Sequence, residues 1–72
     1  MGNAENGRKL YSMAIWGFEQ ISDHQTAASA TYFWALEEKR IGSEFAKPRI
    51  QDAKNRINRF NVFALDELVK KI

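Results

Sequence analysis

A chain of 72 residues is expected to hold one domain and to leave no room for a second. Its lack of cysteine excludes disulfides, thiol catalysis and iron–sulfur clusters, and a single histidine, His24, excludes multi-histidine metal sites. The formal net charge is only +2, but it is unevenly spread: residues 47–60 alone hold five bases against one acid, Asp52.

The first seven residues contain Gly2, Asn3, Asn6 and Gly7 and no large apolar side chain after Met1, so residues 1–7 are expected to form a disordered tail. This polar start lacks the apolar core of a signal peptide. Gly2 raises N-myristoylation, but Asn6 stands where that motif wants Ser or Thr. No run approaches the roughly 18–20 apolar residues of a membrane span, and a cytoplasmic, intracellular protein without membrane contact is expected.

A first helix is predicted over residues 8–21. Leu10, Ala14, Gly17 and Ile21 share one face, which Tyr11, Ile15 and Phe18 widen. Glycine inside a helix costs about 1 kcal/mol relative to alanine, so Gly17 on that face predicts a close helix contact. Trp16 falls among Ser12, Glu19 and Gln20, off the stripe. Either it anchors a partner or another segment of the chain covers it.

Ser22, Asp23, His24 and Gln25 mark a boundary. Ser22 or Asp23 is a natural cap, and Ser22 with Gln25 has capping-box spacing. Ser22, Asp23 and His24 also contain the residue types of a catalytic triad, but three consecutive side chains cannot converge as a triad requires. A helix over residues 24–41 follows, apolar on both sides in its first half, with Tyr32, Phe33 and Trp34 expected to lie deepest. Its second half, Glu37, Glu38, Lys39 and Arg40, is expected in solvent. Gly42 suits its end.

Residues 42–47 connect to a third helix over 48–60, with Pro48 in its first turn, where the missing N–H costs nothing. Ile50, Ala53, Ile57 and Phe60 form its apolar stripe. The opposite face carries Gln51, Asn55, Asn58 and Arg59, with Arg49 and Arg56 on one flank. A short final helix over 64–71 places Leu65, Leu68, Val69 and Ile72 on one side. The fold class is therefore all-α: a compact bundle of three main helices plus a short C-terminal helix, with residues 8–72 as the single domain.

No phosphate loop, calcium loop or zinc-protease motif is present, and so small a helical chain has little room for a closed reaction pocket. The expectation is a non-enzymatic protein with no cofactor, no metal and no small-molecule substrate. The third helix has the vocabulary of base reading: Arg forks match guanine, and Asn or Gln amides match adenine. Lys47, Arg49, Gln51, Asn55, Arg56, Asn58 and Arg59 are the candidate contacts to duplex DNA, with the lysines and flanking arginines on phosphates. The 42–47 connection is longer than the 3–4-residue turn of a standard helix-turn-helix.

The alternative is a protein-interaction module, such as an inhibitor, adaptor or antitoxin-like partner, working through Trp16 and the same basic helix. Nine aromatic residues in so short a chain favour it. A homodimer is expected in either case. Its contact should involve the first or second helix, including Trp16, with Ala27, Ala28, Ala30 and Ala35 allowing close approach.

Overall fold

The computed structural model describes the backbone of residues 2–71 and the side chains of residues 5–71. Four helices follow one another: α1 (Gly2–Gln20), α2 (His24–Arg40), α3 (Ala46–Arg59) and α4 (Phe63–Val69). No strand occurs among the described residues. The Cα atoms fill a flattened volume of 35 × 28 × 15 Å.

Each of the first three helices stops at a residue with left-handed backbone: Ser22 (φ 58°), Gly42 (φ 68°) and Asn61 (φ 55°). The amide of the following residue then reaches back to the last turn. Asp23 N–H donates to Phe18 O at 2.8 Å, Ser43 N–H to Glu38 O at 3.0 Å, and Val62 N–H to Ile57 O at 3.0 Å. This is the Schellman arrangement, which satisfies carbonyls that the helix end leaves open. Asp23 then caps α2, its carboxylate accepting from Thr26 N–H at 3.2 Å. The sequence boundaries thus hold to within two or three residues, except at the N-terminus. There α1 begins at Gly2, so residues 2–7 are helical and not a disordered tail; Met1 lies outside the described residues. Once the turn around Arg8 is anchored, extending the helix backwards is cheap, and Glu5 suits its positive end.

The central element is α2, which packs α1 and α3 on two different faces. Ala27, Ala28 and Ala35 are fully buried. Towards α1, Ala27 and Trp34 meet Ile15, with Tyr11, Phe18 and Ala30 around them. Towards α3 and α4, Ala28, Tyr32 and Ala35 meet Ala53, Ile57 and Val69, flanked by Leu36, Ile50, Val62 and Leu65. Ala27, Ala28 and Ala35 of α2 therefore seat helices of its own chain.

Four expectations fail in informative ways. The inward stripe of α1 is Tyr11, Ile15 and Phe18; Leu10 and Ile21 are 67% and 72% exposed. A Cβ added to Gly17 would meet no atom within 4 Å, so no helix of this chain approaches it. Phe33 is 53% exposed, because burying Tyr32 on one side of α2 and Trp34 on the other turns it outward. Glu38 is among the most deeply buried side chains, not a solvated one.

The reason for the last is an ion pair that fastens α1 across α2. The Arg8 fork donates Nε to Glu38 Oε2 at 2.7 Å and Nη2 to Glu38 Oε1 at 2.9 Å. Trp34 Nε1 donates to the same carboxylate at 2.9 Å, and Arg8 Nη2 reaches Ser43 Oγ at 3.3 Å. The Arg8 hydrogen bonds dominate over burial, which acts the other way, and with help from Trp34 and Ser43 they hold the carboxyl down at about 2. Among the described residues no buried side-chain polar atom lacks a partner.

Candidate functional site

Helix α3 positions most of the residues that the sequence singles out. Its start is organised by Ser43, whose hydroxyl accepts from Phe45 N–H at 2.9 Å, and Pro48 sits in the first turn. Ala53 and Ile57 are buried and Ile50 half-buried against α2, which turns Lys47, Gln51, Asn55, Asn58 and Arg59 to the outside, all exposed. Gln51 Nε2 donates to Asn55 Oδ1 at 2.9 Å, one turn along. Arg59 lies near the end of the helix, its guanidinium 5.3 Å from the Phe60 ring centre.

The two flanking arginines are occupied inside the molecule. The Arg49 guanidinium lies 3.8 Å from the centre of the Trp34 ring, and its Nη1 is 3.9 Å from Asp52 Oδ2. Arg56 Nε donates to Asp52 Oδ1 at 3.3 Å, while its Nη1 reaches across to Glu19 Oε2 on α1 at 3.4 Å. These side chains tie α3 to its neighbours. They cannot also serve as free contacts without giving up those bonds.

A shallow pocket of about 420 Å³ opens where α1 ends, α2 begins and α3 ends. Asn55, Arg56 and Arg59 line it together with Glu19, His24, Asp52 and Phe60. His24 stacks on Phe60 with ring centres 4.5 Å apart and planes within 7°. The sequence gives no sign of this pairing, because a partner 36 positions away leaves no local signal. The pocket mixes two guanidinium groups with two carboxylates, so it is a polar notch and not a concentrated anion site. Among the described residues, no three His, Asp or Glu side chains gather closely enough to hold a metal ion.

Trp16 stands apart from all of this. It is 64% exposed on the outer side of α1, beside Leu10 (67%), Met13 (60%) and Ile21 (72%). No other described segment of the chain covers it. Lys47 and Asn58 complete the predicted set and make no side-chain bond among the described residues.

Comparison with known proteins returns no matching family model, no similar curated protein and no similar solved structure. Among the described residues, no helix is long and apolar enough to cross a membrane.

Proposed function

We propose that the protein is a small non-enzymatic regulator that binds duplex DNA through the outward face of α3. The observation that carries this reading is the composition of that face once the side chains tied to other helices are set aside. Arg49 and Arg56 drop out, while Gln51, Asn55, Asn58 and Arg59 remain exposed in a row with Lys47 at one end. Lys47, Lys54 and Arg59 have no acidic partner among the described residues. Amides and a guanidinium along the ridge, with lysines at its border, divide naturally into base reading and phosphate neutralisation.

The test is anisotropy of labelled duplex DNA across a salt series. Asn55→Ala or Arg59→Ala should cost about 1–3 kcal/mol and relax preference at one base pair, whereas Lys47→Ala should weaken all sequences alike and flatten the salt slope. A folded variant lacking Lys47, Asn55, Asn58 and Arg59 that still binds as wild type would reject the reading. Arg49 and Arg56 are unsuitable for this test, because replacing them disturbs Trp34 and the link to α1.

The exposed Trp16 favours a second reading, an interaction module that occludes the surface of another protein. In that case Trp16→Ala should abolish binding without any dependence on DNA.

A further inference from the structure

The outer face of α1 has an arrangement that the rest of the chain does not explain. Opposite the inward Tyr11, Ile15 and Phe18, helical spacing lines up Leu10, Met13, Gly17 and Gln20, with Trp16 on one flank and Ala14 and Ile21 on the other. Leu10, Met13, Trp16 and Ile21 are each at least 60% exposed. Gly17 sits in the middle, in ordinary helical backbone, with nothing within 4 Å of where its Cβ would be. A helix that is apolar outside and carries an unexplained glycine at its centre is shaped for another helix to cross it closely.

We propose that the occupant is a second copy of this chain, packed antiparallel along α1. The pattern is its own complement. Centred near Ile15, the antiparallel register sets Met13 of each copy over Gly17 of the other and Leu10 beside Gln20. The two Trp16 rings then meet next to the dyad. At its centre Met13 fills the space that Gly17 leaves open, and the same surface serves both copies, as a two-fold contact requires. Charge does not oppose the approach, since Arg8 and Glu19 are paired within the chain and the remaining α1 charges, Glu5 and Lys9, are one of each sign.

The area is sufficient. An aromatic side chain contributes on the order of 150–250 Å² and an aliphatic one less, so the four, each 60–72% exposed, offer at most roughly 500 Å² per copy. Two copies together remove up to about 1,000 Å², the level that separates specific contacts from incidental ones. A patch of this size is at the upper end of what a monomer leaves open, roughly 300–600 Å². The pairing stands independently of the DNA reading. It also claims the surface that a foreign protein partner would need.

Sedimentation of the wild-type chain at 100 µM should give twice 8.3 kDa. Leu10→Glu with Met13→Glu, both at exposed positions, should leave the circular dichroism unchanged and weaken the dimer at least 100-fold. Gly17→Leu separates the two roles of that position: the thermal midpoint of the dissociated chain should rise as helix propensity improves, while the dimer loosens. Because the chain has no cysteine, register can be read by oxidation. Leu10→Cys with Gln20→Cys in one chain should cross-link between copies, and neither single variant should. A monomer at 100 µM, a dimer that survives the double glutamate variant, or linkage of Leu10→Cys alone would each overturn the proposal. So would a stoichiometric complex with a different protein and no self-association. Failure of DNA binding would leave these results untouched.

Discussion

The two seams of α2 are built from similar alanines and closed by different chemistry. Against α3 and α4 the buried contact is apolar, Ala28, Tyr32 and Ala35 on one side and Ala53, Ile57 and Val69 on the other, with Arg49 over Trp34 and His24 on Phe60 at its margins. Against α1 the apolar patch is smaller, and a buried carboxylate held by Arg8, Trp34 and Ser43 completes it. One seam depends chiefly on water exclusion. The other depends on a charge being present. A helix flanked by small residues can thus accept two neighbours while giving each a different vulnerability.

Trp34 joins the seams, and removing it should have the largest effect. Tyr11 stacks on it from α1 with ring centres 5.7 Å apart, and Arg49 covers it from α3. Trp34→Ala should cost about 3–5 kcal/mol in urea denaturation, enough to unfold so small a domain. Ile57→Ala, only 1% exposed, should cost about 2–5 kcal/mol with the same pH dependence as the wild type, because it empties the apolar seam alone.

Acid should act on the other seam. The folded-state value of Glu38 is about 2 against an ordinary 4.5, so its contribution is complete above 4.5 and is lost as pH falls from there towards 2. The loss should be about 2–3 kcal/mol, read as a falling denaturation midpoint, and Glu38→Gln should remove most of this pH dependence. Hydrogen exchange at pH 3 should quicken in α1 before α3. Equal quickening in both would show that the seams are not separable. The smallest change expected is a gain: Ser22→Gly should add about 1 kcal/mol by relieving the left-handed backbone at the end of α1, measured as a higher thermal midpoint.

Local chemistry explains which parts were legible in sequence. The Asp23 carboxylate caps the turn that follows it, and Gly42 and Pro48 act through their own backbone, so the helix boundaries could be placed. The α3 stripe was clear because its other face is wholly polar. Helix α1 is apolar on two sides, and periodicity alone cannot say which one faces inward. That choice rests on Arg8 meeting Glu38, 30 positions away, and on Trp34 receiving Tyr11. The same holds for the candidate site. Exposure of Gln51, Asn55 and Asn58 follows from spacing, but the capture of Arg49 by Trp34 and of Arg56 by Glu19 belongs to the assembled bundle.

The two tryptophans occupy opposite surroundings, which makes the chain its own optical reporter. The Trp34 indole is enclosed, bonded through its N–H to a carboxylate and covered by Tyr11 and Arg49. Trp16 faces water. Unfolding moves the first towards solvent and shifts its emission to the red; capture of the second by any surface shifts its emission to the blue. With Trp16→Phe and Trp34→Phe prepared separately, one fluorimeter can follow folding and association as two independent signals.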